Sequence, residues 1–136
     1  LSSSSIGRDA EWELREYLER LGFLVIRSAA SRIVDLIAIR MDPPHHELFI
    51  EVKSTMDRNF KISRIRANGE QIADLKNYAA LIEAVLVYCV KFRSEGKWAI
   101  HDARSLPKVI RQEDARALNH WEETFSEGTF PGIVPP

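Results

Sequence analysis

The chain has 136 residues, 45% of them hydrophobic, and a formal net charge of −1. That is enough apolar material for one domain with a real core and too little for two, and the near-neutral balance argues against a protein that coats nucleic acid through bulk charge. The single cysteine, Cys89 in the run VLVYCV, excludes an intramolecular disulfide and a cysteine-based metal site, and reads as a small buried residue in a reducing compartment.

Residues 1–6 are serine-rich and read as a flexible arm. Asp9 is placed to start a helix of about four turns that ends at Gly22, with Leu14, Tyr17, Leu18 and Leu21 as its core stripe. One turn back that stripe reaches Glu11, which is either a core-facing acid or a solvated first-turn carboxylate favoured by the helix dipole. FLVIR, residues 23–27, is a short strand, and SAAS turns the chain into a second strand from Ile33 to Arg40. Pro43 and Pro44 cannot sit in a sheet ladder, so MDPPHH is a hairpin connection to a third strand from Glu47 to Thr55, with His45 and His46 as exposed loop residues.

The run RNFKISRIR carries Arg58, Lys61, Arg64 and Arg66 and no acid. It is either a solvated loop or the rim of a site for a polyanion. A helix is expected from about Asn68 to Glu83, with Ile72, Leu75, Tyr78, Ala79 and Ile82 at helical spacing. AVLVYCVKF and KWAIHDA read as two strands joined by a turn at SEGK, the first apolar enough to be buried on both faces. A last helix is expected from about Gln112 to Phe125, carrying Ala115, Leu118, Trp121 and Phe125, before a Pro/Gly-rich tail over 127–136. The order predicts one α/β domain over 7–126, a mixed five-stranded sheet flanked by helices.

The stretch from Ser31 to Lys53 carries the chemistry. Asp35 interrupts an apolar strand, where an acid is costly unless a cation or hydrogen-bond network meets it. In the next strand, alternation puts Phe49, Glu51, Lys53 and Thr55 on one face, so Glu51 and Lys53 point the same way. If Glu11, Asp35 and Glu51 converge, each pair at about 5 Å repels by roughly 3 kcal/mol at an effective dielectric of 20, so a cation is required. Three hard oxygen ligands select Mg²⁺ or Mn²⁺ over zinc or copper. Lys53 is then placed to orient or deprotonate an attacking water, or to neutralise a pentavalent transition state.

Asp35 followed by Glu51-Val52-Lys53 resembles the signature of the PD-(D/E)xK nuclease superfamily. A longer match is similar to the archaeal Holliday junction resolvases of the Hjc type: Gly7, Ala10-Glu11-x-Glu13-Leu14, Gly22-Phe23-x-Val25-x-Arg27-Ser28-Ala29-x-Ser31, Val34-Asp35-Leu36-Ile37-Ala38, Ile50-Glu51-Val52-Lys53-Ser54 and Gln71. The resemblance implies a restriction-endonuclease-like fold and a catalytic set of Glu11, Asp35, Glu51 and Lys53. It implies Mg²⁺, with Mn²⁺ able to substitute, on Asp35, Glu51 and Glu11. Ser31 and Gln71 are supporting residues. Arg27 and Arg32, with Arg58, Lys61, Arg64 and Arg66, are the expected DNA contacts.

The activity implied is paired cleavage of opposing strands of a four-way junction by a homodimer. The alternatives are a nuclease of the same fold acting on duplex or flap DNA, and a non-catalytic DNA-binding module. Ile6 and Trp12 depart from the family, which usually has lysine and arginine there, so part of the phosphate grip must come from elsewhere. The tail lacks the glutamine-to-paired-aromatic pattern of a sliding-clamp-binding peptide, and a clamp partner has no support there. With no membrane-length apolar run and no leader-like start, the expected location is cytoplasmic, with the nucleoid.

Overall fold

The computed structural model describes residues 3–27, 34–43, 45–62 and 84–131. The helix expected over 68–83, and with it Gln71, lies outside the described residues, as do Ser31, Arg32, Arg64 and Arg66.

The first helix, α1, runs Ser3–Arg20 and so begins well before Asp9. Extending a helix already anchored by packing costs little per residue, and serine opposes it only weakly. Ala10, Leu14, Tyr17 and Leu18 are its buried stripe. Gly22 ends the turn after it at a φ of 93°, a left-handed conformation that glycine adopts without strain.

Five strands follow in one sheet: β1 (Phe23–Arg27), β2 (Leu36–Arg40), β3 (Glu47–Thr55), β5 (Val85–Phe92) and β6 (Lys97–Asp102), in the spatial order β1-β2-β3-β5-β6. Only β3 and β5 are parallel, with Glu51 opposite Tyr88 and Lys53 opposite Val90, so the sheet is mixed as expected. Strand alternation divides its side chains between two cores. Leu36, Ala38, Leu48, Ile50, Val52, Val87 and Cys89 pack with α1 on one side. Phe49, Leu86, Tyr88, Val90 and Phe92 pack on the other with Phe60, Ile62 and Ile110.

Two further stretches differ from the sequence expectation. The basic run is partly ordered: β4 (Asn59–Lys61) pairs antiparallel with β7 (Val109–Arg111) in a two-stranded ribbon that buries Phe60 and Ile110. Three residues carry too little alternation to announce a strand. The single helix expected over 112–125 is instead a 3₁₀ turn (Gln112–Asp114), a bridge, a second 3₁₀ turn (Leu118–Trp121) and a short helix α2 (Glu122–Glu127). The break comes at Arg116, whose N–H and carbonyl both pair with Trp98 at 2.9 and 2.7 Å, so the free edge of β6 wins over helical periodicity. Phe125 and Phe130 then fold back onto the α1 side of the sheet, their rings 5.4 Å apart and Tyr17 6.1 Å from Phe125.

His45 is exposed as expected, but His46 is half-buried. Its Nε2 lies 3.1 Å from the Phe125 carbonyl oxygen and its ring packs edge-on against Phe23 at 5.7 Å, tying the β2–β3 hairpin to α2.

Candidate active site

Asp35 sits just ahead of β2, where its own N–H donates to the Ile50 carbonyl at 3.1 Å. Its Oδ2 accepts the N–H of Val52 at 2.7 Å. The acid is therefore stapled to β3 through both backbone and side chain, beside Glu51. Glu51 is 7% exposed, an unusual depth for a carboxylate. Burial, then the charge of Asp35, push its pKa up to about 8; Lys53 opposes them, and a hydrogen bond between the two carboxyl groups adds a smaller upward effect. Lys53 reaches back along the same strand face, its Nζ 3.9 Å from Oε2 of Glu51 and its side chain 40% exposed. The expectation that Glu51 and Lys53 share a face with Asp35 close by agrees with this geometry.

Glu11 comes from α1. Desolvation and the nearby charge of Asp35 raise its pKa, and Arg27 lowers it through a hydrogen bond and its charge. The Arg27 Nε lies 3.2 Å from Oε2 of Glu11. Glu11 thus feels both other acids electrostatically but is held by Arg27. Among the described residues no group of three His, Cys, Asp or Glu side chains is gathered closely enough to hold a metal ion. Asp35 and Glu51 nevertheless fit a hard divalent cation: two oxygen-bearing acids forced together, one of them buried and with its pKa pushed up by that burial and by the other's charge. The third expected ligand is engaged elsewhere.

Of the expected DNA contacts, the structure brings Arg27 to Glu11 and places Arg58 and Lys61, both exposed, at the ribbon beyond the end of β3. Sequence reasoning missed two features. Tyr88 faces Glu51 across the parallel pair, and burial, then the charges of Glu51 and Asp35, drive its hydroxyl well above the ordinary range. Beside Glu11, Arg8, Asp9, Trp12, Arg15, Arg27 and Leu36 line a cleft of about 350 Å³. The signal for it was the helical spacing of Arg8, Glu11, Trp12 and Arg15, a second stripe alongside the core stripe. Glu13, in the same segment, is structural: it pairs with Lys91 and accepts the Trp98 indole N–H at 3.2 Å.

Comparison with known proteins gives this arrangement a family. The chain is 36% identical over 89 residues to the crossover junction endodeoxyribonuclease Hjc of Methanocaldococcus jannaschii, a match spanning 65% of this chain and 61% of that relative. Its fold is similar to the solved structure of Archaeoglobus fulgidus Hjc, a Holliday junction resolvase from an archaeal hyperthermophile, with a TM-score of 0.62 at 18% identity over 86% of this chain and 95% of that one. The model of the archaeal Holliday junction resolvase (Hjc) family matches residues 2–128, nearly the whole chain. The chain therefore belongs to the archaeal Holliday junction resolvase family.

Proposed function

We propose that this protein is a divalent-metal-dependent, structure-selective endonuclease that resolves four-way DNA junctions by hydrolysing phosphodiesters in opposing strands. The observation that carries the reading is the apposition of Asp35 and buried Glu51 with Lys53 3.9 Å from the latter, inside a chain of this family. Asp35 and Glu51 would hold Mg²⁺, for which Mn²⁺ substitutes, and Glu11 would join them once Arg27 turns from it to a phosphate. When bound, the cation would neutralise a phosphate oxygen, acidify a water and stabilise charge on the leaving oxygen. Lys53, exposed enough to meet substrate, orients the attacking water or neutralises charge on the scissile phosphate.

Arg27, Arg58 and Lys61 supply phosphate contacts, joined by Arg32, Arg64 and Arg66; Ser31 and Gln71 support the site. Two copies of the chain, each cutting one strand, account for paired incisions. The location that follows is the cytoplasm, at the nucleoid, and the tail, which lacks the glutamine-to-paired-aromatic pattern, gives a sliding-clamp partner no support.

Incubation of the protein with a labelled four-way junction and Mg²⁺, beside a linear duplex of matched sequence, tests the reading. Paired symmetric nicks in the junction alone are expected, lost in Glu51→Gln and Asp35→Asn while junction binding persists. Full cleavage by either variant overturns the site, and equal cleavage of the duplex overturns the selectivity. Sedimentation as a monomer at micromolar concentration overturns the dimer.

A further inference from the structure

Among the described residues Trp12 is the exposed large aromatic, and packing does not explain it. It is 58% exposed on the face of α1 turned away from the core stripe, where a large aromatic ring gains little from the fold. It is also held in place. The guanidinium carbon of Arg15 lies over the indole at 5.5 Å from its centroid, and Arg15 is fixed from behind by Glu19, Nε to Oε1 at 2.8 Å. A Glu19–Arg15–Trp12 chain thus orients the ring, reducing the rotamer entropy that a ligand would otherwise have to remove.

The surroundings specify what the ring meets. Arg8, Arg15 and Arg27 line the same cleft as Trp12, with Asp9 and Glu11, and Glu11 is already matched by Arg27. An exposed π-face among guanidinium groups is complementary to a nucleotide, a flat base joined to a phosphate. Bases within a duplex have both faces stacked and cannot reach such a ring, whereas a base at a strand exchange point or in a single strand can.

We propose that Trp12 is a stacking platform for an unstacked nucleobase, with Arg8 and Arg15 receiving the adjoining phosphates, and that it favours branched over continuous DNA. This rests on the endonuclease reading for its substrate, but on the Trp12 cleft alone for its chemistry. Trp12 here is a substrate-positioning residue, outside the set of acids and Lys53.

The test uses the full chain with two probes, a four-way junction carrying 2-aminopurine at the branch and a short single-stranded oligonucleotide carrying the same base. Quenching of 2-aminopurine on binding is expected for the wild type. Trp12→Ala should lose the quench and weaken binding to both probes by about tenfold or more, Trp12→Phe should keep most of both, and Trp12→Arg should restore affinity without the quench. Of the three tryptophans Trp98 is buried and Trp121 half-buried, so a red-edge component quenched by DNA and absent from Trp12→Phe belongs to the exposed Trp12 and is a second readout. Wild-type affinity and an unchanged 2-aminopurine signal in Trp12→Ala overturn the proposal, even if the junction is cleaved. Trp12-dependent quenching without junction cleavage supports the platform and overturns the endonuclease reading instead.

Discussion

The carboxyl groups of Asp35 and Glu51 meet between adjacent strands, and Glu51 keeps a pKa near 8 because burial and the charge of Asp35 disfavour its ionised form. The unfolded group titrates near 4.5. Between those two values the folded state holds a proton that the unfolded state has released, so stability falls as pH rises. The loss is absent below the lower value and complete above the upper one. On this account the metal-free protein loses on the order of a few kcal/mol between about pH 5 and about pH 8.5 through this group. Urea denaturation at the two pH values should give a much flatter dependence for Glu51→Gln, and Mg²⁺ should stabilise the wild type more at the higher pH, where it replaces the proton. Equal slopes for wild type and Glu51→Gln would refute the assignment.

Asp35 carries a structural duty besides its charge. Its Oδ2 accepts the buried-strand N–H of Val52, so Asp35→Ala leaves that donor without its partner and should cost about 1–3 kcal/mol. Asp35→Asn keeps an oxygen in place and should cost less than about 1 kcal/mol, the usual scale for an exchange that preserves the bond. Both remove a negative charge beside Glu51 and should lower its titration midpoint, followed by carboxyl-carbon NMR. An unmoved Glu51 midpoint in both variants would mean that desolvation alone raises it.

How far such features were legible in the sequence depends on the range of the forces behind them. Strand β3 was readable to its ends, Glu47 and Thr55, because alternation and the flanking Pro-Pro hairpin are local signals. Glu51 and Lys53 followed from the same alternation and the nearness of Asp35 from the hairpin, although β2 begins at Leu36 rather than Ile33 and leaves Asp35 just ahead of it. The Arg27–Glu11 pair was not readable: each residue was singled out, but only packing of α1 against the sheet decides that they bond to each other. The broken C-terminal helix failed for a related reason, since the helical spacing of Leu118, Trp121 and Phe125 is real but the edge of β6 captures Arg116 first. His46 looked like a loop residue because its partners, Phe23 and Phe125, are remote in sequence.

That histidine makes a neighbour sensitive. Gly128 ends α2 at a φ of 73°, and a Cβ added there would stand 3.1 Å from the His46 ring. Gly128→Ala thus suffers both backbone strain and a close contact, and should destabilise the fold by about 1–3 kcal/mol. Adding His46→Ala should relieve the contact but not the strain, and should also remove the link to the Phe125 carbonyl. Thermal unfolding of the two single variants and the double variant separates these effects through the coupling energy. Strict additivity would show that the ring and the new methyl do not meet.

Arg27 stands between two anions, the carboxylate it holds and the phosphate it is proposed to bind. In the free protein its guanidinium opposes the rise in the Glu11 pKa caused by burial and by Asp35. Arg27→Ala should therefore raise the Glu11 midpoint further, visible by carboxyl-carbon NMR. On DNA the same substitution removes one phosphate contact, so affinity should fall similarly for all sequences and the salt dependence should flatten by about one phosphate's worth of counterion release. Arg27→Lys keeps the charge but not the planar fork, and should restore the salt slope more fully than the affinity. If Arg27→Ala moves the Glu11 titration and leaves the salt slope intact, Arg27 is an anchor for Glu11 and the phosphate grip lies with Arg8, Arg15 or the ribbon.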